Sequence, residues 1–216
     1  MKVIEDRLRV SASDVANFLA CQQLTQLDLQ MARGMLRPPR EFDLGFMDLV
    51  GRGEEHERAV LERFRVDGHE IADLSESGGT VEETVGAIQA GPGVIYQGTL
   101  TGAGGGVALL GRPDFLVRAD LLPAPDGEPR PPGLHYEIVD AKLARTAKAR
   151  AVLQSAFYSH LLAEVQETEP RWMHLALGNG QFVSFKVKDF AALLPRTAVA
   201  EPGSQLVLKR EPSSVR

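Results

Sequence analysis

The sequence predicts an α/β fold, a mixed β-sheet flanked by α-helices on both sides. Three observations carry this. Apolar residues recur at helical spacing through the first third of the chain, and the middle changes to short runs rich in Val, Ile, Leu and aromatic residues. A long helical pattern then returns after Arg145 and is followed by a final pair of strands.

From Ser13 to about Arg33, the spacing of Val15, Phe18, Leu19, Leu24, Leu27 and Leu29 predicts one amphipathic helix, with Ser11 or Ser13 as its N-cap. Cys21 falls among these positions and reads as a small core residue. RPPR at 37–40 breaks the pattern. A second helix is predicted from Gly53 to about Arg65, where Ala59, Val60 and Phe64 share a face and GHE supplies the stop. VEETVGAIQ reads as a third, short helix ahead of the GPG turn.

VIYQGTL, VALLGRPDFLVR and LHYEIVDAKL then read as three strands. AGGG is the turn between the first two, and PAPDGEPRPPG is a surface loop, since proline and glycine sustain neither regular ladder. Val152, Leu153, Ala156, Phe157 and Leu161 mark a long helix running to about Glu167. WMHLAL and QFVSFKV form a hairpin around Gly178, Asn179 and Gly180, because an Asn-Gly pair suits the positive φ angles of tight hairpins. A short helix begins near Asp189. Residues 1–200 are expected to form one domain, with 201–216 a tail.

Composition narrows the function classes. With 44% hydrophobic and 25% charged residues the chain is globular, and 24 basic against 29 acidic residues give a formal charge of -5. Bulk positive charge therefore does not hold a nucleic acid here, and any such contact is local. A single cysteine supplies neither an internal disulfide nor the thiolates of a zinc or iron–sulfur site, which fits a reducing cytoplasm. No stretch has the apolar length that a bilayer demands, so no membrane partner is expected. The glycine run at 104–106 lacks the Gly-Lys-Ser/Thr of a phosphate loop.

The chemistry concentrates in GRPDFLVR and YEIVDAKL, each an apolar strand candidate carrying an acid. A buried carboxylate is costly unless paired or bound to a metal. Asp140 and Lys142 are two apart, so strand alternation points both to one face. Glu137 is out of phase with them and reads as a charge on the other face. Carboxylates that hold a hard cation, with an ammonium beside them, are what metal-assisted phosphodiester hydrolysis requires. On the following helix Arg150, Gln154 and Tyr158 form a polar line at spacing four. Lys142, Arg145, Lys148 and Arg150, with no acid among them, make a basic collar where a phosphate backbone could approach.

Pro113-Asp114 followed by Asp140-Ala141-Lys142 resembles the motif of the PD-(D/E)XK nuclease superfamily, and the surroundings look like its RecB-like branch, often fused to helicases. That branch carries a histidine on a preceding helix and Gln-x-x-x-Tyr on the following one; GEEHERAVL offers His56, and AVLQSAFYSHLL offers Gln154 and Tyr158. SASDVANFLACQQLTQLDL is similar to the opening of such domains. The resemblance implies a restriction-endonuclease-like mixed β-sheet and a DNA substrate. Asp114, Asp140, His56 and the carbonyl of Ala141 would hold Mg²⁺ or Mn²⁺, and Lys142 would position the attacking water. Gln154, Tyr158, Arg150 and Lys148 would meet the substrate. A helicase domain or subunit is the partner it implies. Members with an iron–sulfur cluster carry several cysteines around the core, so no cluster is expected here.

Blander readings stand beside these. His56 is also an ordinary solvent-facing helix histidine, Glu55 an ordinary solvated charge, and Gln154 and Tyr158 the border of a core helix. The alternative function is a catalytically inactive nucleic-acid-binding or docking module of a helicase–nuclease system, and beyond that a purely structural partner-binding domain.

Overall fold

The computed structural model describes residues 1–4, 7–37, 44–104, 107–127, 133–193, 197–200 and 206–209. The chain opens with β1 (Lys2–Ile4) and β2 (Arg7–Ser11), then α1 (Ala12–Ala20), α2 (Gln22–Ala32) and α3 (Leu44–Val66). β3 (Ile71–Asp73), α4 (Val81–Ala90), β4 (Val94–Tyr96), β5 (Leu100–Gly104), β6 (Val107–Gly111) and β7 (Phe115–Arg118) follow. β8 (Tyr136–Lys142), α5 (Ala149–Gln166), β9 (Trp172–Leu177), β10 (Phe182–Lys186), β11 (Thr197–Ala200) and β12 (Leu206–Lys209) complete it. The fold is α/β, as predicted.

Two mixed sheets stand where one was predicted. The larger has the order β10-β9-β8-β7-β4-β3, with β8/β9 and β3/β4 parallel and the other pairs antiparallel. The smaller has the order β1-β2-β6-β5, with β2/β6 parallel. β11 and β12 form a separate antiparallel pair, so part of the expected tail is a strand. Alternate residues of β8 enter two cores. Tyr136 and Ile138 pack with Phe157, Leu161 and Leu162 of α5, whereas Val139 packs with Leu61, Val60 and Phe64 of α3. The larger sheet is thus flanked by a helix on each face, and each fully buried Leu, Ile or Phe adds roughly 1.5–3 kcal/mol.

Several elements depart from expectation. The first helix is two, because Cys21 takes an extended backbone (φ -160°, ψ 109°). The buried Thr25 and Leu29 of α2 do not continue the stripe of Ala12, Val15 and Ala16 in α1, so the break re-aims the second helix. Cys21 is exposed at that break rather than in the core, and Leu24 and Leu27 are 39% and 38% exposed. Ser11 is the N-cap, its N–H and hydroxyl donating to Asp14 Oδ2 at 2.8 and 2.7 Å. α3 begins well before Gly53 and keeps Gly51 and Gly53 inside it, while Ala59 is exposed.

The predicted strands VIYQGTL and VALLGRPDFLVR each divide into two, one half in either sheet. β1, β2 and β3 were not foreseen, being short and without an apolar run. Glu137 is fully buried rather than a face charge, because both faces of this central strand are covered. In the β9–β10 connection only Gly180 has a positive φ (+81°), and its N–H closes a turn on Leu177 O at 2.9 Å. A one-residue left-handed exit replaces the expected Asn-Gly pair. α4, α5 and the short helix near Asp189 (3-10, Val187–Leu193) stand where predicted, α4 capped by Thr80 and ended by Gly91. Pro38 to Arg40 of the predicted break, Gly105 and Gly106 of the glycine run, residues 128–132 of the surface loop and EPSSVR lie outside the described residues.

Candidate active site at the crossing between sheets

The chain passes between the sheets twice, at 97–99 leaving β4 and at 112–114 entering β7. The two crossings are bonded to each other: Gln97 N–H donates to Asp114 O at 2.9 Å. Gln97 is a non-glycine residue at φ +59°, an uncommon conformation that surrounding structure must hold. Gly79 makes room for it, since a Cβ there would lie 2.2 Å from Gln97 O. Pro113 precedes the acid and cannot donate to a ladder, which ends the pairing just before β7.

Asp114 and Asp140 come together through register. β7 pairs with β8 from Phe115↔Val139 onward, which sets Asp114 opposite Asp140 one step beyond the last pair. Asp114 Oδ2 accepts the Ala141 N–H at 2.7 Å. In an antiparallel strand the N–H and C=O of one residue face the same neighbour, so the Ala141 carbonyl looks toward the edge where Asp114 sits. Asp140 is 1% exposed, and its Oδ2 has no hydrogen-bond partner among the described residues, facing Lys142 Nζ as an ion pair. Strand alternation thus brings Asp140 and Lys142 to one face.

The electrostatics describe a site short of positive charge. Burial, then the neighbouring Asp140 carboxylate, push the Asp114 carboxyl well above its ordinary value, against the pull of Lys142. Burial opposes the charge on Lys142, but Asp140 and Asp114 outweigh it and hold the ammonium above its usual value. Two acids that cannot both ionise comfortably beside one ammonium are relieved by a cation.

His56 meets the backbone of β9. Its Nε2–H donates to Ala176 O at 3.0 Å, which occupies that nitrogen. The next residue on α3, Glu57, acts on both Asp114 and Lys142 and accepts a hydrogen bond from the Gln97 side chain. Burial and then Glu57 also raise the Tyr96 hydroxyl. The sequence reading missed Glu57 and Gln97. The adjacency of Glu57 to the histidine was visible, but which of two successive helix residues faces the strands depends on packing.

On the α5 side, Gln154 Nε2 donates to the Tyr158 hydroxyl at 2.8 Å. Tyr158 is buried, and burial followed by Asp140 holds its hydroxyl above the ordinary value. Gly111, at the end of β6, allows this packing, because a Cβ there would stand 2.7 Å from the Tyr158 ring. Lys142, Lys148, Arg150 and Gln154 line a shared cavity of about 210 Å³ beside the acids. Lys148 and Arg150 are exposed, and Arg150 Nη1 donates to Asn17 Oδ1 of α1 at 2.7 Å.

The donor set fits a hard divalent cation. Among the described residues no three His, Cys, Asp or Glu side chains are gathered as a ready-made metal group. Mg²⁺ ordinarily takes only one or two carboxylates and completes its shell with water and phosphate oxygens. Asp114, the buried Oδ2 of Asp140, whose one partner among the described residues is Lys142, and the Ala141 carbonyl meet that demand, and Glu57 adds negative charge to the same site. No helix among the described residues is long and apolar enough to cross a membrane. No protein family, no curated protein and no solved structure matches this chain.

Proposed function

We propose that this chain is a divalent-metal-dependent deoxyribonuclease of the PD-(D/E)XK, RecB-like type, hydrolysing phosphodiester bonds on a restriction-endonuclease-like fold in the cytoplasm, alone or beside a helicase module. The observation that carries the reading is the convergence of Asp114, Asp140 and Lys142, acids from separate strands and an amine, in one buried and underneutralised space.

Asp114, Asp140 and the Ala141 carbonyl would hold the cation. Mg²⁺ or Mn²⁺, when bound, supplies Lewis-acid polarisation of the phosphoryl oxygens and lowers the pKa of water. Lys142 orients the attacking water and offsets the negative charge that grows at the phosphate. Glu57, steered by Gln97, adds a carboxylate on the α3 side, and Tyr158 with Gln154 braces the other side. Lys148, Arg150 and Arg145 receive the approaching backbone. The products carry 5′-phosphate and 3′-hydroxyl ends.

Cleavage of single- and double-stranded DNA in Mg²⁺ or Mn²⁺ tests the proposal. Asp140→Ala abolishes cutting with circular dichroism unchanged, and Lys142→Ala lowers kcat by roughly 10²-fold or more. Undiminished cutting by Asp140→Ala contradicts the mechanism. DNA binding with neither metal uptake nor cutting assigns the chain to the docking-module class.

A further inference from the structure

On the opposite face of the larger sheet lies a cavity of about 300 Å³ that the proposed hydrolysis does not use. α3 supplies one wall with His56, Val60, Arg63, Phe64 and Asp67; the β9–β10 hairpin supplies another with Ala176, Gln181 and Phe182; Leu121 and Leu122 close the third. Two features make it more than a dent. Its apolar walls include two rings already held by neighbours: Phe64 stands edge-on to Phe115 at 5.5 Å, and Phe182 lies 5.4 Å from His174. Its rim carries polar groups of both kinds. Among the described residues the Arg63 guanidinium and the Asp67 carboxylate form no ion pair, and Gln181 uses its oxygen for Asn179 and keeps its amide N–H groups.

Flat apolar walls with a donor and an acceptor at the rim are what a heteroaromatic ring with a hydrogen-bonding edge requires. A volume at the small end of ligand cavities holds one ring system rather than two. The position is equally telling. Ala176 is the register partner of Ala141, which lies between Asp140 and Lys142. Successive residues of α3 serve the two places: Glu57 turns to the acids and His56 lines the cavity.

We propose that this cavity takes one unpaired nucleobase of the DNA strand whose backbone lies at Asp114, Asp140 and Lys142, with Phe64 and Phe182 as the apolar walls and Arg63, Asp67 and Gln181 reading its edge. The proposal deepens the nuclease reading and names its substrate as a strand with at least one base out of the stack. Stacking of a base on aromatic side chains is worth about 1–3 kcal/mol.

Binding and cutting separate the two ideas. A short single-stranded oligodeoxynucleotide is titrated into the full chain in EDTA, intact and with an abasic residue at each position in turn. The abasic residue weakens binding about tenfold or more at one position only. Arg63→Ala, and Val60→Phe to fill the space, each weaken binding of the intact strand but add little on that abasic strand. Equal affinity for every abasic strand, or variant effects that simply add to the abasic one, overturns the inference even if the enzyme cuts. Position-specific base dependence without cutting in Mg²⁺ upholds it and sinks the nuclease reading. Absence of any strand binding overturns both.

Discussion

At the scale of single residues, Asp114 is the group whose chemistry is most constrained. Its carboxyl is raised by burial and by Asp140, so the folded protein holds a proton there that the unfolded chain releases. Between the ordinary aspartate value and the raised one, stability of the metal-free protein therefore falls as pH rises. Lys142 has the same sign in a higher window: its raised value contributes stability that is fully present through neutral pH and is lost as pH rises through the strongly alkaline range. Asp114→Asn removes the first effect. Thermal melts in EDTA should show the variant gaining a few degrees on the wild type at pH 8 and little near pH 4; a difference between the two that does not grow with pH would contradict this account. Added Mg²⁺ should raise the wild-type melting point more at pH 8 than at pH 6, because proton and cation compete for one carboxylate. Asp140 and Lys142 could be read from the sequence because a strand's period of two settles their common face. Glu57 could not, since neighbouring helix residues differ in direction by about 100° and only packing selects one.

At the scale of elements, the central strand β8 carries a buried polar chain that apolar patterning conceals. Glu137 accepts the Trp172 N–H at 3.1 Å and meets His174 Nε2 at 3.0 Å, and His174 Nδ1 meets Ser184 Oγ at 2.8 Å. Glu137 and His174 are both 0% exposed, so one line of polar atoms crosses β8, β9 and β10 beneath the α3 face. Removing one member leaves the others desolvated without compensation. Glu137→Ala is expected to cost about 3–5 kcal/mol in urea unfolding, whereas a Glu137→Ala/His174→Ala pair should cost clearly less than the sum of the singles. Additive losses would mean that the two groups are not coupled. The sequence reading took Glu137 as a face charge; packing of α5 on one face of the strand and α3 on the other buries both. The same limit explains the divided strands. An unbroken apolar run such as VIYQGTL does not announce that its two halves join different sheets, although Gly98 and Pro113 mark where they part.

At the scale of the whole molecule, the net charge of -5 would confine the proposed DNA binding to the collar around α5. If Lys142, Arg145, Lys148 and Arg150 are the phosphate contacts, log affinity against log salt should have a slope of about -3 to -4. A much steeper slope would place binding on a surface other than this one. The α/β class, the helices on both sheet faces and the C-terminal hairpin were legible because they follow from period and turn chemistry. The second sheet was not, because β1 and β2 are short, β2 alternates exposed arginines with buried residues, and β1 joins the sheet only through β2, which pairs with β6.

The central claim is that Asp114 and Asp140 share a cation with the Ala141 carbonyl at the end of β8. The most direct measurement is anomalous diffraction from crystals soaked in Mn²⁺. The account predicts a peak between the two carboxylates, with Lys142 drawn away from Asp140 Oδ2. Crystals saturated with Mn²⁺ that show no peak there, and the Asp140–Lys142 ion pair unchanged, would contradict it.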